Sequence, residues 1–427
     1  MRLLVLDHFF DQDIDALVRA GGPEVDVRVW PYHDLRWEAL RVFPEEVATG
    51  LEPFARDEMA PLRERWALRL GRLLEERFTR APFDAFVAPS DVFFYVRAAP
   101  QICHRLGVPF FVAQKETTIS PHTMGEHAAR VARWAPPVAD HMTVCSERHR
   151  EFWLRAGAAP ERVTVTGQPR FDFYAHPERW PASRADEPPT VLFFSYHVDA
   201  YHPSEGAQAP VWRELHRQTE RGLYELAARG WRVLVKPHPQ QSVAGVRRRL
   251  RRELPASIRS RVQLVSPQAD ARELIMRAAV VVGFQTTALL EAMLAGKPVV
   301  YTGWDEEAHR VASALIPFDR WQRGIDVVRD AAELAATIEA AHRRPVDPAT
   351  MDFRRAVVAE QLGPVDGRAA ERTLTVLRGV VEEFARRRAP EAVVRRRTLA
   401  ARRPARRLGR VALMKLDFAR AALRVRA

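Results

Sequence analysis

Cys103 and Cys145 are the only thiols in 427 residues, and neither sits in a metal-ligand spacing. That excludes a disulfide framework and a Cys-built metal site. Both thiols are expected as small buried hydrophobes in a reducing compartment. Long apolar runs are missing too, since none approaches the roughly 20 residues that a membrane span needs. The opening MRLLVLDHFFDQD lacks the apolar core and cleavage site of a secretory leader, and reads as a first strand. The net charge of +12 suggests nucleic acid until it is located. Residues 386–427 carry 15 Lys and Arg against Glu391 and Asp417, which leaves the rest of the chain at −1. The body is therefore no basic nucleic-acid scaffold, and an RNA-binding reading is confined to that tail.

What is present is alternation. Strand-like runs at 2–7, 25–30, 84–90, 108–114, 141–145 and 162–167 are separated by helical stretches, among them 53–79 and 91–106. Ser146 stands where an N-cap is expected and Gly157 where the following helix stops. A second series of strands, at 191–196, 231–236, 262–266, 280–284 and 298–303, follows a polar, proline-rich stretch. Alternation of this kind predicts parallel sheets covered on both faces. The expected division is a Rossmann-like domain over 1–173, a linker over 174–190 and a second Rossmann-like domain over 191–345. Helices at 346–385 and a basic amphipathic tail at 386–427 complete it.

Ligands of open parallel sheets bind beyond the carboxyl ends of the strands. There, WRVLVKPHPQ (231–240) ends a core strand on Lys236 and His238 between two prolines. Proline fixes φ and removes an N–H donor, so this turn is rigid and suits an anion such as a phosphate. In GFQTTALLEAMLAGKPVV (283–300), Thr286 and Thr287 fall at a helix start. Free backbone N–H groups and the helix dipole favour an anion there. Either threonine also serves as a simple cap. Glu291, one turn on among apolar residues, needs a partner when buried: a ribose hydroxyl or a neighbouring Arg. His197 ends the first strand of the second series and is expected in the same cleft.

These residues carry a resemblance. Strand–Lys-Pro-His-Pro followed about 45 residues later by Gly-x-x-Thr-Thr-x-x-x-Glu-Ala resembles the second domain of GT-B glycosyltransferases. The nearest branch is that of CDP-glycerol glycerophosphotransferases, bacterial polysialyltransferases and capsule Kdo transferases. VTVTGQPRFD (163–172) is similar to the segment closing the first domain in GT-B transferases and in UDP-N-acetylglucosamine 2-epimerases. The likeness covers roughly 140–305 well, and before 140 it rests on strand order. It implies an α/β fold of two Rossmann-like domains facing a cleft, with His238, Thr286 and Thr287 as donor-phosphate ligands. The His-Gly turn of glycerophosphotransferases is replaced here by Lys115-Glu116-Thr117-Thr118.

A general base is expected at a strand end of the first domain. Glu116 is the first choice, with Asp91 and Asp11 as rivals that also fit N-cap roles. Asp11-x-Asp13 sits at a helix start, where acids complement the dipole, and His122 and His127 do not have zinc spacing, so no metal is expected. The reading that follows is a metal-independent glycosyltransferase. It would move a sugar from a CMP-, CDP- or UDP-linked donor to a surface-polysaccharide or lipid-linked acceptor, with no further cofactor. Lys236, His197 and Glu291 would join the phosphate ligands in holding the donor. The alternatives are a nucleotide-sugar 2-epimerase and a CDP-glycerol-type polyol-phosphate transferase. The tail, with an apolar stripe through Leu408, Ala412, Leu416, Ala419 and Leu423, is expected on the cytoplasmic face of an anionic membrane.

Overall fold

Short runs of Val, Leu, Phe and Ala with no polar alternation make strands that must be covered on both faces. The computed structural model describes residues 1–8, 10–115, 119–180, 188–196, 209–238, 241–304 and 316–387, with 209–211 as backbone alone. Its first sheet holds β1 (Arg2–Leu6), β2 (Asp26–Trp30), β3 (Ala85–Ala88), β4 (Phe110–Ala113), β5 (His141–Val144) and β6 (Val163–Val165). The order is β2-β1-β3-β4-β5-β6, and every pairing is parallel. The second sheet holds β7 (Thr190–Phe194), β8 (Arg232–Lys236), β9 (Val262–Leu264), β10 (Val280–Gly283), β11 (Val299–Thr302) and β12 (Asp326–Val328). Its order, β12-β11-β10-β7-β8-β9, is also parallel throughout. Counted from β7, this is the 3-2-1-4-5-6 order of dinucleotide-binding sheets. The chain is thus α/β, with two Rossmann-like halves in a GT-B-like arrangement.

Strand order reverses between β1 and β3 in the first sheet and between β7 and β10 in the second. Those are the points where a crevice opens beyond the carboxyl ends. Helices Asp11–Gly21 and Ala271–Arg277 each begin at such an end, and their first turns meet. Gln12 Nε2 donates to Asp270 Oδ1 at 2.9 Å, and Arg272 pairs with Asp15 at 3.6 Å. The carboxyl-end sides of the two sheets therefore meet at the junction.

The helix Ala369–Arg387 follows the second half in sequence but packs on the first sheet. Ala370, Leu374 and Leu377 are buried with Leu3, Val5, Val87, Phe111 and Ala113. Asp172 holds its start, accepting from the N–H of Ala369 at 2.9 Å and of Ala370 at 2.8 Å. Gly363 (φ +76°) lets the returning chain pass, because a Cβ there would lie 1.7 Å from the Cys145 carbonyl oxygen.

Several local expectations change. Residues 91–98 form turns and the helix spans only Ala99–Leu106, with Pro100 in its first turn. Ser146 does occupy the N-cap of Glu147–Arg155, but its hydroxyl makes no cap bond and lies 3.0 Å from His149 Nδ1. Phe171 and Tyr174, at the edge of the expected linker, are core residues of the second half. Strand β12 has no counterpart in the sequence reading. Among the described residues no helix is long and apolar enough to cross a membrane. Residues 388–427 of the tail lie outside the described residues.

Candidate functional site

In the second half, the ends of β8 and β10 flank that of β7, so each motif lies about one strand spacing, roughly 5 Å, to either side of it. Two segments nearly 50 residues apart in sequence thereby border one crevice. Ser195 and Tyr196 follow β7, and the Tyr196 ring is 5.0 Å from that of Phe284, which follows β10. Lys236 is 8% exposed, and its ammonium donates to the Pro267 carbonyl at 2.8 Å. Burial lowers its pKa, while Glu291 and Asp270 act in the opposite direction. His238 is half-buried, and its N–H donates to Gln241 Oε1 at 2.7 Å, which fixes the turn.

The turn after β10 is tight. A Cβ at Gly283 would press on Thr286 and Leu289, and Gln285 takes a left-handed φ of +40°. Such a conformation is strained for a non-glycine residue and persists only when its surroundings impose it. Here the Gln285 side chain is clamped: Nε2 donates to Tyr301 Oη and to the Ile316 carbonyl, each at 2.9 Å, and Oε1 accepts from Ile316 N–H at 3.0 Å. Thr286 Oγ1 accepts from Ala288 N–H at 3.3 Å, and Thr287 is the N-cap of Ala288–Leu294 with no side-chain cap bond. Glu291 is buried, and its Oε2 accepts from Tyr174 Oη at 2.7 Å. Burial raises its pKa, against the pull of Arg170 and that hydrogen bond.

Facing this, the first half presents aromatic and basic groups at its own reversal point. His8 follows β1 and Phe93 follows β3, with their rings stacked at 4.4 Å and 2°. Tyr32 lies 4.1 Å from His8 on another side, and His8 Nδ1 hydrogen-bonds Tyr95 Oη. Burial, then Lys115, His33 and Arg36, hold the His8 pKa down to about 3, so the imidazole is neutral. Asp7 accepts from Tyr32 N–H at 2.7 Å.

The expected bases fare differently. Asp91 is wholly buried, and its Oδ2 accepts from Val138 N–H at 2.7 Å and Ala139 N–H at 3.1 Å. Burial raises its pKa against those bonds. Its carboxylate holds a loop. Asp11 opens the helix Asp11–Gly21, exposed at the junction, with its pKa raised by partial burial and by Asp7. Glu116 and His197 lie outside the described residues.

Sequence reasoning missed Gln285, Tyr174 and the His8–Phe93–Tyr95 group. Only His8, one residue past a strand end, carried a signal. The others are assembled from distant segments. A separate cavity of about 690 Å³ opens on the flank of the junction, but its arginines are ion-paired, as in Arg272–Asp270 at 2.7 Å and Arg368–Glu371 at 3.1 Å.

No protein-family model matches this chain, and no curated protein matches it. Solved structures do. An S. aureus MnaA–UDP co-structure is 13% identical with a TM-score of 0.53, covering 89% of this chain and 97% of that one. UDP-GlcNAc 2-epimerase from Methanocaldococcus jannaschii is 14% identical (TM-score 0.53; 89% and 100% covered). The enzyme from Neisseria meningitidis bound to UDP-GlcNAc is also 14% identical (TM-score 0.51; 89% and 100%). At such identity the likeness is one of fold.

It corrects the expected activity. The similarity, over 89% of the chain, runs to UDP-GlcNAc 2-epimerases, one of the alternatives, and the glycosyltransferase reading and its glycan acceptor are set aside. The likeness to the CDP-glycerol and polysialyltransferase branch, which rested on two motifs, finds no support in it.

Proposed function

We propose that the chain binds a UDP-linked sugar between its halves and inverts the sugar at C2, as a nucleotide-sugar 2-epimerase, without a further cofactor. The observation that carries this is the second crevice. A sheet of dinucleotide-binding order gathers the His238 turn and the Gln285–Thr287 turn around the end of β7. In this reading the diphosphate lies against His238 and the turn over Thr286 and Thr287 that opens the helix Ala288–Leu294. Such groups suit the negative charge of a diphosphate. Glu291, with one oxygen held by Tyr174, offers the other to a ribose hydroxyl. The sugar meets His8 and Phe93, a flat surface with a neutral imidazole that the buried Tyr95 backs. Solved structures of the same fold include proteins described as bound to UDP and to UDP-GlcNAc, which supports the choice of nucleotide.

The test is a thermal-shift panel of CMP, CDP, UDP, GDP and TDP, followed by NMR of UDP-GlcNAc incubated with the protein. UDP should raise the melting temperature, because a ligand of the folded form stabilises it by mass action. The NMR should show the C2 epimer. His238→Ala should fold and lose roughly 100- to 1000-fold in turnover. No shift with any nucleotide, or full turnover in His238→Ala, would overturn the reading.

A charge-driven contact of 386–427 with an anionic leaflet is a separate proposal, supported by the 15 basic residues there. Flotation with anionic and neutral liposomes, comparing full length with a chain ending at Ala385, decides it. Equal flotation of the two would reject it.

A further inference from the structure

Behind the His238 turn lies a buried polar chain that neither the fold nor the phosphate reading uses. Gln241 clasps His238 twice: its N–H donates to the His238 carbonyl at 2.9 Å, and its Oε1 accepts from His238 N–H at 2.7 Å. The other end of the same amide, Nε2, donates to Ser195 Oγ at 3.2 Å and to the Tyr196 carbonyl at 3.0 Å. The amide cannot be flipped, because its NH₂ would then oppose the His238 N–H. Ser195 Oγ is 2.8 Å from His216 Nε2. His216 Nδ1 in turn faces Glu220 Oε2 at 3.8 Å, and Glu220 Oε1 accepts from Arg249 at 2.6 Å. Ser195, His216 and Glu220 are each at most 4% exposed. Rings of Phe193 and Tyr196 flank the imidazole at 5.6 and 4.8 Å.

Proton counting gives this chain a direction. Ser195 Oγ already accepts from Gln241, and the acceptor beside its own proton is His216 Nε2. The imidazole then carries its proton on Nδ1, aimed at Glu220. The hydrogen-bonded donors, from the His238 amide inward, point toward His216, and each bond polarises the next; the carboxylate faces Nδ1 at 3.8 Å, as a charge rather than as a hydrogen-bond acceptor. Glu220 Oε2 is buried without a hydrogen-bond partner, so the chain ends on an acceptor with spare capacity.

We propose that Gln241, Ser195, His216 and Glu220 form a positioning relay that holds the His238 turn, and that the ionisation of Glu220 sets how firmly it does so. When Glu220 is protonated, the charge that favours a proton on Nδ1 is gone, the Nε2–H tautomer gains, and the Ser195 hydroxyl then accepts from Nε2 instead of donating to it, which reverses the polarity behind Gln241. Ionisation restores the polarity. The groups facing Glu220 are His216 and Tyr224 on its own helix (Ala209–Ala228), and Arg249 and Glu253 on the helix Val243–Glu253. Burial outweighs Arg249 and lifts the Glu220 pKa to about 7, and burial and Arg249 hold His216 down to about 3. The switch therefore lies on the carboxyl, in the neutral range.

The relay deepens the nucleotide reading, yet half of its test needs no nucleotide. Amide hydrogen exchange at His238 in the unliganded full chain should show protection, corrected for intrinsic rates, rising several-fold from pH 6 to 8. Ser195→Ala should lower it roughly tenfold, the loss expected for one buried hydrogen bond. Glu220→Gln, nearly isosteric, should make it flat with pH. UDP affinity should follow the same profile in the wild type and lose it in E220Q. A packing role alone would shift the melting temperature and leave the profile's shape intact. Wild-type protection and slope in both variants would overturn the relay. If E220Q does not fold, unchanged protection in S195A is enough to do so. Absence of UDP binding by the wild type would instead defeat the nucleotide reading, while the exchange data still decide the relay.

Discussion

His149 shows how a single buried imidazole couples this fold to pH. It is fully buried, with Nδ1 at 3.1 Å from Cys145 Sγ and 3.0 Å from Ser146 Oγ, and burial holds its pKa down to about 3. The unfolded chain takes up that proton near pH 6.5, the folded one only near 3. Below 6.5 the unfolded state binds more protons, so stability falls as pH drops. His8 and His216 act in the same sense. Glu220 acts oppositely: with a folded pKa near 7 against 4.5, the native state binds more protons between those values, and stability falls as pH rises through them. His149→Gln is expected to remove one proton from the acid limb, about 1.4 kcal/mol per pH unit between pH 4 and 6. Urea titrations at several pH values measure this, and an unchanged slope would mean that His149 is already protonated in the fold.

At the scale of elements, the helix Ala369–Arg387 depends on a cap that it does not carry. Asp172, 197 residues earlier, accepts from its first two N–H groups, at the end where a carboxylate also complements the dipole. Asp172→Ala should cost about 1–2 kcal/mol in chemical denaturation, and Asp172→Asn less. A neutral result would mean that water replaces the carboxylate. The turn after β10 makes a similar point. Motif spacing revealed Thr286 and Thr287 there, but not that Gln285 holds a left-handed backbone by gripping Tyr301 and Ile316. A sequence displays which residues stand at a strand end. It does not display which distant carbonyl each one reaches.

For the whole molecule, the first sheet lacks one of its covers until the chain has passed through the second half. Ala370, Leu374 and Leu377 close the face of Leu3, Val5, Val87 and Phe111. Residues 1–180 alone are therefore expected to aggregate, and a synthetic 364–387 segment to restore solubility, as measured by light scattering. A monodisperse, two-state 1–180 fragment would show that the cover is dispensable. Gly363→Ala, which drives a Cβ into the Cys145 carbonyl, should destabilise the intact chain by roughly 2–4 kcal/mol and leave the second half's own core untouched.

Period and punctuation in the sequence determined the two parallel sheets, because strands buried on both faces need continuous apolar runs and parallel pairing needs a helix between them. The same signals placed Lys236, His238, Thr286 and Thr287 at strand ends. Tertiary structure alone decided the rest. It turned the Lys236 ammonium onto a carbonyl, buried Asp91 in a loop, joined Tyr174 to Glu291, and set His216 and Glu220 behind the His238 turn. Local pattern follows from each residue's own backbone and hydrophobicity. Which polar groups share a buried space depends on chain crossings between segments tens to hundreds of residues apart, and no local signal encodes them.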